Sequence, residues 1–107
     1  MTFARIGIFE APADRLPEVV GLFRDRVTPA FAAHGGFLGY QAFTEVDAGR
    51  YVGISYWTSL EALEASSSTA RDAREAAAGL GARTIGEPII AGEQFDTRTG
   101  SGIDPAA

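Results

Sequence analysis

The sequence predicts a single α+β domain with the element order βαββαβ and a four-stranded antiparallel sheet, the arrangement of ferredoxin-like folds. Three observations carry this. Four short segments read as strands, with apolar and aromatic side chains on both faces. Two longer segments place apolar residues at helical spacing, one after the first strand and one after the third. The 107 residues, 46% of them hydrophobic, suffice for one core without staples and are too few for two domains.

The first strand is FARIGIFE, residues 3–10, with Phe3, Gly7 and Phe9 on one face and Ala4, Ile6 and Ile8 on the other. Arg5 is the exception on it. A charge there must be paired, snorkel or meet a ligand, and Glu45, Glu87 or Glu93 are the candidate partners. A helix follows over residues 14–34. Asp14 is placed to cap it, Pro17 fits its first turn, and Leu16, Val19, Val20, Phe23, Val27 and Phe31 form the buried stripe. Pro29 predicts a kink or restart near Thr28. Gly35-Gly36 ends the helix, where His34 serves as a C-terminal cation rather than a catalytic base.

Residues 37–44 and 50–57 form a hairpin across the loop Glu-Val-Asp-Ala-Gly. Thr58-Ser59-Leu60-Glu61 then fits a capping box that opens the second helix. Leu60, Leu63, Ala70, Ala73, Ala77 and Leu80 mark its apolar face, and Ser66-Ser67-Ser68 predicts a bend or split within it. Residues 85–96 form the last strand, with Pro88 tolerated at its start or on an edge. The domain is expected over residues 1–96, followed by a flexible tail, 97–107, rich in small and turn-forming residues.

Composition excludes whole classes of chemistry. There is no Cys, so thiol catalysis, disulfides and cysteine-bound metals are out. All nine basic residues are Arg, so lysine Schiff bases are out too. The single His cannot build a multi-histidine metal centre. A net charge of −5 and a pI near 4.7 repel phosphate backbones, so nucleic acid is not an expected partner. No apolar run reaches the length of a membrane helix, and the first ten residues lack the apolar region of a signal peptide. The expectation is a cytoplasmic protein that uses no metal and no cofactor. Two helices cover only one sheet face, so the other, also apolar, predicts a homodimer packed sheet to sheet.

Two stretches resemble the antibiotic biosynthesis monooxygenase family of dimeric α/β barrels: GRYVGISYWTSLEALEAS, a strand ending in Trp57 before a capped helix, and PAFAAHGGFLGYQAF, a helix end, a glycine pair and an aromatic strand. The resemblance spans residues 3–96. It implies a homodimer with a cleft between sheet and helices in each subunit. It also implies oxidation of a hydrophobic aromatic or polyketide-like molecule by dioxygen, without metal or flavin. The family's strand-end Trp matches Trp57, and its second-helix Arg matches Arg74 in Ala73-Arg74-Glu75-Ala76. Its Asn position falls on Gly53 and its helix Tyr position on Leu63. Catalytic roles are therefore expected of Trp57 and Arg74, and substrate contacts of Tyr40, Tyr56, Phe23 and Leu63. Tyr40 and Tyr56 are expected on one face of the hairpin.

The haem-degrading branch of the family is not matched: the chain has no Asn, one Trp, and no His after His34. The alternative to an oxygenase is a non-catalytic dimeric barrel that binds a small aromatic ligand. Fold alone does not choose between them.

Overall fold

The computed structural model describes residues 1–98; most of the expected tail, residues 99–107, lies outside the described residues. The elements are β1 (Phe3–Glu10), α1 (Leu16–Leu22), α2 (Thr28–Ala32), β2 (Phe37–Glu45), β3 (Arg50–Trp57), α3 (Leu60–Ala65), α4 (Ser67–Gly79), β4 (Arg83–Thr84) and β5 (Ile89–Gly92). All strand pairings are antiparallel, in the order β2-β3-β1, with β4 and β5 both on the free edge of β1. This is the expected βαββαβ sheet, its fourth row built in two pieces.

The first helix breaks where proline requires it. Between α1 and α2 the chain makes a π-helical turn, Phe23–Val27, in which the Thr28 amide donates to the Phe23 carbonyl and the Thr28 hydroxyl bonds the same oxygen at 2.8 Å. Pro29 has no N–H to continue the regular ladder, and a wider turn absorbs the mismatch. Asp14 does not cap: it lies inside a short 3₁₀ turn, Ala13–Arg15, that has no side-chain cap. Gly36, at φ +85°, turns the chain into β2, and its carbonyl accepts the Thr58 amide at 2.9 Å. A Cβ there would stand 2.6 Å from the Ala62 methyl, so shape as well as φ requires glycine.

The second helix starts one residue later than the capping box implies. Ser59 is the N-cap, accepting from the Ala62 amide at 3.1 Å. The residue three beyond it is therefore Ala62, and no reciprocal Glu is available. The helix splits at Ser66, as expected. The Ser66 hydroxyl donates to the Leu63 carbonyl at 2.6 Å, and Ser66 itself is fully buried. Serine offers the backbone a competing partner and so ends the turn.

The last strand is shorter than 85–96 and interrupted. β4 pairs Thr84 with Phe9, whereas β5 pairs Ile89 with Ile6, so two extra residues bulge between them. Pro88 lacks a ladder donor and Gly86 sits at φ +68°, which fits a bulge rather than a continuous strand.

The core lies between the sheet and the helices. Phe9, Val19, Phe23, Phe31, Tyr51, Trp57, Leu63 and Ala77 are among its buried members. On the opposite face of the sheet Phe43 and Ile89 are half exposed. No helix among the described residues is long and apolar enough to cross a membrane.

Candidate functional site

Gly7 and Gly53 pair across β1 and β3 on the helix side of the sheet. Two glycines side by side leave a hollow in an otherwise packed face. A narrow cleft opens there, with a cavity volume of about 40 Å³. Phe9, Phe23, Phe31 and Tyr40 wall it with aromatic rings, Ser55 lies on its floor, and Arg5 and Arg74 bring two cations. The β4–β5 bulge supplies the rim through Thr84, Gly86 and Pro88. Sequence reading missed this rim, although Gly-Glu-Pro inside a strand pattern was its signal.

The rings form one stack. Phe23 lies against Tyr51 at 4.8 Å between centroids and against Tyr40 at 6.0 Å, and Phe31 lies 6.2 Å from Tyr40. The Tyr40 and Tyr51 hydroxyls bond at 2.8 Å directly above Gly53. A Cβ at position 53 would stand 1.9 Å from the Tyr40 hydroxyl oxygen. Tyr40 thus occupies the room a side chain at 53 would take, which explains why only glycine fits there.

Burial pushes the Tyr40 phenol well above the usual tyrosine range, and the Tyr51 phenol up to about 12. Both therefore stay neutral and act as hydrogen-bonding groups, not bases, at ordinary pH. The unfolded chain releases these protons first, near pH ~10. Stability owed to the pair is therefore intact below that pH and lost as pH rises through about 12. Urea unfolding of the wild type should weaken steeply over that range, and less steeply for Tyr40→Phe. Equal slopes for the two proteins would refute this.

Arg5 points into the helix side and bonds no carboxylate among the described residues. Its guanidinium donates to the Leu63 carbonyl at 2.7 Å, the Ser66 hydroxyl at 2.9 Å and the Ser67 hydroxyl at 3.2 Å. None of Glu45, Glu87 and Glu93 partners it. Glu45 sits opposite Arg50 at the far end of the hairpin, with 3.8 Å between charged groups. Arg74, on α4, is half-buried beside the cleft and forms no salt bridge among the described residues.

The other expected site residues divide. Phe23, Tyr40 and Arg74 meet at the cleft. Trp57 does not line it. Trp57 is fully buried behind it, packed against Phe31 and Phe37 at 5.6 and 5.3 Å, and its Nε1–H donates to the Ser55 hydroxyl at 2.9 Å. Leu63 is also fully buried; its backbone carbonyl, rather than its side chain, serves the site by holding Arg5. Tyr56 is on the opposite face of the sheet, bonded to Gln41 at 2.8 Å. Tyr40 pairs with Ser55, not Tyr56, so the two tyrosines face apart. His34 ties α2 to α4 through Thr69 at 2.9 Å.

A family model described as antibiotic biosynthesis monooxygenase matches residues 2–78. No curated protein matches the chain. Solved structures similar to it include SnoaB, a cofactor-independent oxygenase from Streptomyces nogalater, at 18% identity and TM-score 0.65, covering 91% of this chain and 97% of that one. A monooxygenase of Streptomyces coelicolor in complex with nanaomycin D is similar at 20% identity and TM-score 0.63, covering 83% and 82%. Rv0793 from Mycobacterium tuberculosis follows at 19% identity and TM-score 0.59, covering 85% and 91%. At these identities the likeness speaks for the fold.

Proposed function

The chain belongs to the antibiotic biosynthesis monooxygenase family, and from that premise we propose that it is a cofactor-independent monooxygenase acting on a hydrophobic aromatic or polyketide-like molecule held in the cleft. The observation that carries the reading is a greasy, ring-lined hollow with Arg74 beside it, which forms no salt bridge among the described residues. In the proposed reaction the substrate ionises to a phenolate or enolate, and its own electrons reduce dioxygen. A methylene of an anthrone-like ring becomes a carbonyl. One oxygen atom enters the product, and the other leaves as water with the two hydrogens.

The protein's part is electrostatic and steric. Arg74 donates a charge-assisted hydrogen bond to the anionic oxygen. Phe23 and Tyr40 hold the rings and exclude water. Trp57 is a positioning residue: it fixes Ser55 on the cleft floor. The nanaomycin D bound by the Streptomyces coelicolor structure supports a small-molecule ligand for this fold. An oxygen electrode tests the reading with a panel of anthrones and naphthols. Consumption above the buffer rate with at least one of them is expected; none with any of them sinks it.

A homodimer completes the proposal. Ile6, Ile8, Val52, Ile54 and Phe43 share, by register, the face of the sheet away from the helices, and apolar area of this kind is stabilised by burial against a second copy. Sedimentation at micromolar concentration should return about twice 11.3 kDa. A stable monomer at that concentration contradicts the interface.

A further inference from the structure

Arg5 is a cation in the wrong place for a purely structural role. It is 8% exposed, on an interior strand of the sheet, with no acid bonded to it among the described residues. Buried charges ordinarily come with an opposite charge, because desolvation is otherwise uncompensated. The Leu63 carbonyl, near the C-terminal end of α3, offers only a partial negative charge. On the other side Arg5 bonds Ser66 and Ser67, where α4 begins without a side-chain cap, so a partial positive charge faces it. Arg74 adds a second full positive charge at the same cleft.

We infer that the cleft is a receptor for an anionic aromatic ligand, and that Arg5 is its specificity-determining residue, taking the anionic oxygens between itself and Arg74. Three of its N–H groups are bonded to the protein, and a guanidinium has five. The two that remain, on Nε and Nη1, suit single charge-assisted hydrogen bonds to a carboxylate, or to an equivalent pair of oxygens on a polyketide-like ring. The ring system lies against Phe9, Phe23, Phe31 and Tyr40. Burial and the neighbouring Arg74 both work against the charged form of Arg5; a bound anion relieves both. This deepens the proposed function by naming the charge class of the substrate, and it rests on the same cleft.

The test is equilibrium binding, with no turnover required. One- to three-ring aromatic carboxylates, beginning with 2-naphthoate, are titrated calorimetrically into the wild type, each against its neutral carboxamide. At least one carboxylate should bind about 10-fold tighter than its carboxamide or better, the usual worth of one charge-assisted contact. Arg5→Gln should bring that pair to within about 3-fold while carboxamide affinity holds, and Arg5→Lys should recover part of the preference. A merely structural Arg5 would lower the melting temperature and leave the preference untouched. Should Arg5→Gln not fold, Arg74→Gln, on the half-buried helix face, must also shrink the preference. Equal affinities in the wild type, no saturable carboxylate binding, or a preference that survives both substitutions overturns the inference. Carboxylate preference without oxygen uptake by any panel compound would leave the receptor standing and remove the oxygenase.

Discussion

Trp57→Ala should cost about 3–5 kcal/mol of stability, as loss of a fully buried Trp typically does. Trp57 is at zero exposure and meets Phe31, Phe37 and His34 at centroid distances of 5.6, 5.3 and 6.3 Å. Those partners come from α2, the turn after it, and β2, so the indole locks the helix end to the sheet. The void left behind cannot collapse without moving all three. Ser55, itself buried, also loses the Nε1–H bond. Domains of this size have total stabilities of about 5–15 kcal/mol. The melting temperature should therefore fall by at least about 12 °C, or the protein should fail to accumulate folded. A drop of only a few degrees would show that the indole is not the joint described.

Arg74→Ala should do the reverse, sparing the fold and removing activity. Arg74 has no salt bridge among the described residues and is half-buried rather than part of the core. Stability should change by no more than about 0.5 kcal/mol. Turnover of a phenolic or anthrone substrate should fall about 10²-fold, the usual consequence of removing one donor to a developing or bound oxyanion. The loss should appear in kcat rather than only in KM, because Arg74 stabilises the oxyanion that forms when the bound substrate ionises, the species whose electrons dioxygen takes. A variant with wild-type kcat would take Arg74 out of the chemistry and leave it a surface residue.

The contrast between these two residues shows how far the sequence could be read. Element order, the kink before Pro29, the break at Ser66 and the turn at Gly36 were all legible, because each is a local steric rule about a proline, a serine or a glycine. Facing was harder. Taking the hairpin loop as five residues put Tyr40 and Tyr56 on one face. The actual pairing of Glu45 with Arg50 leaves four between them, and that single step of register sends Tyr56 to the opposite side. Trp57 was legible as a strand-end aromatic but not as a residue sealed behind the cleft, since its burial depends on Phe31 and Phe37 from elsewhere in the chain. Arg5 was legible as an anomaly on an apolar strand. Its partners were not, because carbonyls and hydroxyls at a helix break leave no charge pattern to search for. The vacancy that Gly53 leaves for the Tyr40 hydroxyl is a contact between two strands, and no spacing within one strand reveals it.

The most direct measurement of the central claim is the fate of isotopically labelled dioxygen in a turnover with an anthrone, the protein first treated with chelator and freed of small molecules by gel filtration. A single labelled atom is expected in the new carbonyl of the product and the other in water, at a rate that Arg74→Ala lowers about 10²-fold. Product without label, or label incorporated equally fast without the protein, would contradict it.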